Sequence, residues 1–200
     1  MAGKDTSRSG GSGHGRLAMA KLGSPELLGA GGFALTSAAF EDGGDLDPCF
    51  TADEEDAVAP PLEWSAPPAG AMELALLVED PDASGPEPAC HWLVWGLAPQ
   101  RGQLLEGETP PRVGKNAQAN SEWLLPRLPE GERHDFVFQL FALDTPLGVA
   151  PGATRETLLA AMDGHVIAMA LLTASYERQE SGEEGDWGDV DIDEIDWDGN

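Results

Sequence analysis

The most informative stretch for the fold is DFVFQLFAL, residues 135–143. Successive residues of a β-strand point to opposite faces of a sheet, so Phe136, Phe138 and Leu140 share one face, while Phe141 lies on the other. Both faces are largely apolar. A strand of this kind is typical of the middle of a sheet that is covered on both sides. We therefore predict that this stretch is a central strand.

Three further segments favour strands. MELALLVE at 72–79 is an apolar run, and HWLVWGL at 91–97 is rich in aromatic and β-favouring residues. HVIAMALLTASY at 165–176 fits a helix or a strand by periodicity alone. The preceding glycine and the branched pair Val166–Ile167 favour a strand.

One segment has the signature of a helix. Thr154 is a suitable N-cap, Glu156 suits the first turn, and Gly164 is placed to end the helix. The apolar stripe between them consists of Leu158, Leu159 and Met162. Many strands, long proline-containing loops and one late helix predict an all-β protein, a β-sandwich with a short peripheral C-terminal helix.

The charge of the chain is strongly negative and unevenly distributed. Its 200 residues include 36 acidic and 11 basic side chains, for a formal net charge of −25. Such a surface repels nucleic acids and anionic lipid surfaces, so we expect no nucleic-acid partner. Residues 180–200 contain ten acidic and no basic side chains. This tail explains part of the excess, and a high-salt habitat is the other interpretation.

Composition also predicts the domain organisation. Residues 1–32, rich in Gly, Ser and Ala, are expected to form a flexible N-terminal arm. Residues 33–178 are expected to form the ordered domain. Residues 179–200 are expected to be a disordered acidic tail, because they carry too few apolar groups to offset the entropy of ordering.

The cysteines and the terminus point to the cytoplasm. Cys49 and Cys90 are too few for a disulfide scaffold, so two free thiols are expected, with a single bridge as the alternative. No stretch approaches the roughly 20 apolar residues that cross a bilayer. Near the N-terminus, glycine and serine stand where a signal peptide has an apolar run. We expect a cytoplasmic protein that is not membrane-embedded.

Candidate chemistry lies in the loop between the first two predicted strands. In VEDPDASGPEPACHW, residues 78–92, Asp80 and Asp82 flank a proline, and His91 opens the next strand. His134 stands just before another predicted strand. Histidine and aspartate together can bind a metal, perform acid–base chemistry, or hold a phosphate through imidazole and backbone donors.

These alternatives differ in their sequence requirements. The short-spaced ligand pairs typical of metal sites are missing, so we expect no metal. Nucleophilic catalysis needs an activated Ser or Cys, and Cys90 should point away from its neighbour His91 in a strand. Neither G-x-S-x-G nor G-x-x-x-x-G-K occurs. From the residues alone, a loop-anchoring role for each histidine stays open beside anion binding.

Six segments, taken together and in order, carry a family resemblance. They are FALTSAAFEDGG at 33–44, FTADEEDAVAPPLEW at 50–64, VEDPDAS at 78–84, HWLVWGL at 91–97, HDFVFQLFALD at 134–144 and GHVIAMALLTASYER at 164–178. With them the chain resembles the phosphatidylethanolamine-binding protein family, specifically its bacterial Raf-kinase-inhibitor-like branch. The resemblance implies a Greek-key β-sandwich with a pocket for phosphate-like anions at one end.

The resemblance also implies the residues of that pocket. The matching ligand-binding positions are Asp80, Asp82, His91, His134, Pro126 and Phe136. Phe136 stands where the family usually has tyrosine, and the lost hydroxyl donor should weaken anion binding by about 0.5–1.5 kcal/mol. Two other departures make the pocket more apolar than is usual. Ala117 replaces the aspartate of the G-x-N-D-x-G loop, and Leu125 replaces the glycine before the proline.

Three hypotheses for function follow. The first is a non-enzymatic binding or regulatory protein that takes a phosphorylated small molecule or headgroup and uses no cofactor. The second is a weak hydrolase with His91 or His134 as general base. The third is an interaction module whose acidic, tryptophan-containing tail binds a basic protein partner. The resemblance adds the expectation of a homodimer.

Overall fold

The structure is a computed structural model that describes residues 13–179. Residues 1–12 of the predicted arm lie outside the described residues, as does the predicted acidic tail apart from Gln179. Within the described range, no helix is long and apolar enough to cross a membrane.

The described residues form two β-sheets. The strands, in chain order, are β1 (Leu35–Thr36), β2 (Gly44–Asp45), β3 (Leu62–Trp64), β4 (Glu73–Asp80), β5 (Ala89–Leu97), β6 (Gly102–Leu104), β7 (Arg112–Val113), β8 (Arg133–Leu143) and β9 (Val166–Glu177). The larger sheet has the order β2-β9-β8-β4-β5-β7, and the smaller has the order β1-β3-β6. Neighbouring strands are antiparallel, except that β2 and β9 are parallel. The β-rich class is confirmed, whereas the Greek-key connectivity stays a prediction.

The predicted central strand is β8, which lies between β9 and β4. On one face Phe136 and Phe138 are fully buried in a core shared with Leu62 of the smaller sheet. On the other face Phe141 is packed in a second core with Leu158. Both faces of β8 are therefore covered, as its apolar pattern predicts. The strands predicted at 72–79, 91–97 and 165–176 are also confirmed, as β4, β5 and β9.

The predicted helix is α2, Arg155–Met162, on the outer face of the larger sheet. The Thr154 hydroxyl accepts a hydrogen bond from the Thr157 amide at 3.4 Å and caps the helix. Gly164 then adopts φ +75°, a left-handed conformation that ends a helix at low cost. Among residues 13–179 the other α-helix is α1, Ala18–Leu22, and single 3-10 turns occupy His14–Arg16, Pro25–Leu27, Ala30–Gly32 and Pro48–Phe50.

Residues 13–32 differ from the flexible arm that their composition predicts. Leu17 and Ala18 are buried, with 2% and 0% of their surface exposed. The Ala18 amide donates to Glu79 at 2.8 Å, and the Met19 amide donates to Gln139 at 2.8 Å. The segment is held by backbone amides that bind buried side chains far away in sequence. Composition and periodicity carry no signal of such contacts.

Candidate functional site

The candidate site begins at the turn after β4. Asp80 is the last residue of that strand and is only 3% exposed. Its Oδ1 accepts hydrogen bonds from the amides of Asp82, at 2.8 Å, and Ala83, at 3.0 Å. The fixed φ of Pro81 stiffens the same turn. One carboxylate oxygen thus organises the turn, which leaves the other for the site.

That second oxygen binds His134, near the start of β8. His134 Nδ1 lies 2.7 Å from Asp80 Oδ2. The hydrogen bond to the carboxylate raises the pKa of His134, and it outweighs the opposing effect of burial. Nε2 lies 3.5 Å from the half-exposed carboxylate of Glu132. When His134 is protonated, this Nε2–H is a charged donor facing the site.

Asp82 fixes the backbone beside His134. Its Oδ2 accepts from the Asp135 amide at 2.9 Å. The two aspartates therefore have different tasks, since Asp80 orients the imidazole and Asp82 anchors the strand that carries it. Both carboxylates therefore have hydrogen-bond partners within the chain, and both keep their negative charge beside the pocket.

His91, on β5, is held in a different way. It is 6% exposed, and its Nδ1 lies 2.6 Å from the Leu124 carbonyl oxygen. A carbonyl oxygen can only accept, so Nδ1 carries the proton and Nε2 is the remaining polar atom. Burial lowers the pKa of His91. Its ring meets Phe136 edge to face, with centroids 5.0 Å apart.

A pocket of about 380 Å³ brings the predicted residues together. Asp80, Asp82, His91 and His134 all line it. The four come from the ends of the adjacent strands β4, β5 and β8 and from the turn that follows β4.

The other two predicted residues lie behind the pocket wall. Phe136 is fully buried beneath the His91 ring. Pro126 is buried too, and its carbonyl oxygen accepts from the Ala52 amide at 2.9 Å. Its neighbours Leu125 and Arg127 line the pocket. The backbone of Pro126 thus holds a neighbouring loop, and its role in ligand binding stays a prediction.

Sequence reasoning missed several lining residues. They are Ser84, Gln118, Arg127 and Glu132. Ser84 and Glu132 could have been found, because each lies two residues from a predicted site residue. Gln118 and Arg127 come from a loop whose approach to the pocket has no signal in the spacing. Arg127 is a cationic lining group, which matters for an anion.

The loop at 114–120 shows how the departure at Ala117 is tolerated. Asn116 is 5% exposed, and its Oδ1 accepts from the amides of Gln118, at 3.0 Å, and Asn120, at 3.1 Å. The Ala117 amide donates to the Cys90 carbonyl at 2.8 Å. Asn116 therefore organises the loop without the missing aspartate. The loop contains a left-handed residue, Ala119, with φ +62°.

The cysteines lie apart from this pocket. Both are free thiols, and Cys90 packs in the core on the far side of the larger sheet. The prediction that the Cys90 and His91 side chains point to opposite faces of the strand is confirmed. Among residues 13–179, no group of three or more His, Cys, Asp or Glu side chains is placed to hold a metal ion.

Comparisons with known proteins identify the family. The sequence profile of the family described as phosphatidylethanolamine-binding protein matches residues 36–177. The chain belongs to this family. One similar solved structure is that of the phosphatidylethanolamine-binding protein homolog CT736 from Chlamydia trachomatis, with a TM-score of 0.69 and 35% sequence identity. The match covers 74% of this chain and 98% of CT736. Escherichia coli YbcL shares the fold, with a TM-score of 0.67 and 23% identity over 74% of this chain and 99% of its own.

Sequence relatives support the same assignment. A UPF0098 protein of Methanothermobacter thermautotrophicus is 35% identical over 154 residues, which cover 72% of this chain and 98% of the relative. A candidate lipoprotein of Mycobacterium tuberculosis, LppC, is 37% identical over 148 residues, or 72% of this chain and 71% of the relative.

Proposed function

We propose that this family member is a non-enzymatic binding protein whose pocket takes a phosphate-like anion, carried by a phosphorylated small molecule or a lipid headgroup. The observation that carries the proposal is the convergence of His91, His134 and Arg127 on one pocket whose aspartates are already hydrogen-bonded. The family name supports a ligand with a phosphoryl group.

The two histidines offer complementary groups to a phosphoryl oxygen. Protonated His134 donates from Nε2, whereas neutral His91 presents a lone pair at Nε2 because its Nδ1–H is bound to Leu124. This arrangement fits an anion that bears both an ionised oxygen and a P–OH, such as hydrogen phosphate or a singly protonated phosphomonoester. It favours a headgroup that ends in a phosphomonoester over a phosphodiester headgroup, which has no P–OH. The raised pKa of His134 and the lowered pKa of His91 favour these protonation states.

Affinity for the bare anion should be modest. Two charge-assisted hydrogen bonds contribute about 1.5–3 kcal/mol each, which corresponds to a Kd on the order of millimolar. The net charge of −25 opposes anion entry, so affinity should rise with added neutral salt, which screens that field. The organic part of the natural ligand would supply the remaining binding energy.

The test is an NMR titration of the histidine ring protons with sodium phosphate against sodium chloride of equal ionic strength. His91 and His134 should shift and saturate together. The matched control is His165, whose Nδ1 also pairs with an aspartate, Asp144, at 2.9 Å but at an exposed position. His134→Asn should weaken binding at least about 10-fold, the equivalent of one charged donor, and His165→Asn should not. Unmoved His91 and His134 signals at high phosphate would refute the proposal.

The hydrolase hypothesis uses the same side chains as the binding hypothesis. A measurement of substrate turnover distinguishes the two. A neutral His91 with a free Nε2 lone pair has the form of a general base. Phosphoester and acyl substrates should show no turnover if binding is the function. Turnover that is lost in His91→Ala would establish the enzyme instead.

The cytoplasmic location and the binding of a basic partner by residues 180–200 are further proposals. They rest on sequence composition. Fractionation of cells that express the full chain tests the first. Comparison of partner capture by the full chain and by a chain ending at Gln179 tests the second.

A further inference from the structure

The segment 13–22 is an ordered structure outside the range that the family profile matches, 36–177. Here it is called the N-terminal segment. It packs on the larger sheet through Leu17 and Ala18, which are buried. It ends in helix α1, which lies beside the second core.

A buried polar cluster anchors this segment. Glu79 is fully buried on β4, and its carboxylate accepts from the Ala18 amide, at 2.8 Å, and from the Gln139 side chain, at 2.8 Å. Arg155 pairs with the same carboxylate, and its Nη2 donates to the Arg16 carbonyl at 2.9 Å. A buried carboxylate is stable only with such partners. The segment therefore supplies one of the three donors that stabilise the buried Glu79 carboxylate.

From this anchor the segment reaches the loop between β4 and β5, residues 81–88, here called the pocket loop. The Arg16 guanidinium donates to the Pro86 carbonyl oxygen. Lys21 Nζ lies 2.7 Å from Glu87 Oε2, and this contact lowers the pKa of Glu87. At Gly13 the backbone packs so closely on the Pro81 carbonyl that a Cβ there would overlap it.

On the side away from the N-terminal segment, the pocket loop forms part of the wall of the anion pocket. Asp82, Ala83 and Ser84 line the pocket. Glu79 and Asp80 are consecutive on β4, so one points to the segment and the other to the site. The loop is thus held between the anion pocket and the N-terminal segment.

We propose that the N-terminal segment positions the pocket loop, and through it the anion site, with Gly13, Arg16 and Lys21 as positioning residues. The proposal rests on the proposed function for the ligand, but its structural part does not. Asp80 fixes the first residues of the loop through the amides of Asp82 and Ala83. The later residues, Pro86 and Glu87, are held by Arg16, Lys21 and Arg155.

Two glycines of the segment provide a matched test. Gly13→Ala adds a Cβ against the backbone of Pro81, whereas Gly15→Ala adds one where nothing lies within 4 Å. Neither glycine has a positive φ, so an alanine is conformationally acceptable at both positions. Gly13→Ala should displace the segment from the pocket loop, and Gly15→Ala should not.

A second variant removes side-chain contacts without touching the buried cluster. Arg16→Ala combined with Lys21→Ala deletes two solvent-accessible contacts to the loop. Exposed pairs of this kind are individually weak, so together their loss should increase the opening of the loop by about 2- to 30-fold. Deleting the whole segment is unsuitable, because it would leave Glu79 buried without its amide partner.

The measurement is hydrogen exchange at the five backbone amides of the pocket loop, those of Asp82, Ala83, Ser84, Gly85 and Glu87, in the full chain, alongside the phosphate titration. In Gly13→Ala and in the Arg16→Ala/Lys21→Ala variant, amide exchange of the loop should accelerate and the phosphate Kd should rise severalfold. In Gly15→Ala, both the exchange rates and the Kd should stay within about twofold of the parent values, as expected of a neutral surface change. Unchanged exchange in both variants overturns the inference. A parent protein that does not bind phosphate overturns the proposed function, and accelerated exchange would still support the positioning of the loop.

Discussion

Removal of the charge on Arg155 should destabilise this protein far more than removal of an exposed charge. The Arg155 and Glu79 side chains are 8% and 0% exposed. Arg155→Met retains much of the packed aliphatic volume but leaves a carboxylate buried without its cation. Breaking a buried pair from one side costs about 3–5 kcal/mol. For a domain of this size, that corresponds to a fall in Tm of roughly 6–20 °C.

The assay is urea unfolding of the full chain, with the midpoint and slope fitted together. Glu79→Gln should also be costly, because it removes the buried anion of Arg155 and leaves only the half-exposed Glu87 carboxylate, 3.4 Å away. The double variant should recover part of the loss, with a coupling free energy of about 0.5–3 kcal/mol between the two sites. Arg101→Met, at an exposed arginine, is the control and should change stability by less than about 0.5 kcal/mol. A loss below about 1 kcal/mol for Arg155→Met, or strict additivity in the cycle, would refute this account of the cluster.

Three further outcomes are expected. The pKa of His134 is raised above its ordinary value of 6.5. The stabilisation from its pair with Asp80 is therefore complete below about pH 6.5 and is lost as pH rises through the raised value. Asp80→Asn should lower the His134 pKa measured by NMR, and the stability that this variant loses should become smaller at alkaline pH. Ala119→Gly should stabilise the protein by about 0.5–1 kcal/mol in urea unfolding, because glycine adopts φ +62° without the strain that alanine bears. A variant less stable than the parent would contradict the presence of strain at this position. Burial, as the largest cause, raises the pKa of Cys49 to about 11 and of Cys90 to about 12. Alkylation by iodoacetamide at neutral pH, followed by mass spectrometry, should therefore be slower in the folded than in the unfolded chain, by on the order of 100-fold at Cys49 and 1000-fold at Cys90.

The local elements of this fold were predictable because their signals lie within short stretches of sequence. DFVFQLFAL is apolar on both faces, and in the structure β8 is covered on both faces. Thr154 and Gly164 mark the ends of α2 through capping chemistry that involves residues only a few positions away. These features depend on side-chain alternation and backbone conformation, which a linear sequence records directly.

The candidate site was predictable only in part. Asp80 and Asp82 are close in sequence, and the preferences of the turn between them are local. Their meeting with His134, 54 positions away, requires β4 and β8 to be neighbours in the sheet. Spacing alone does not determine which strands pair, so the resemblance to a known family had to supply this convergence.

Local patterns of polarity and backbone conformation are enough to predict the β-rich class, the central strand and the capped helix. Tertiary structure alone decided the placement of Arg127 at the pocket and the docking of residues 13–22 behind the pocket loop. The physical reason is the nature of the docking contacts. Every non-proline residue has the same backbone N–H. The side-chain types of Ala18 and Met19 therefore do not reveal that their amides bind Glu79 and Gln139.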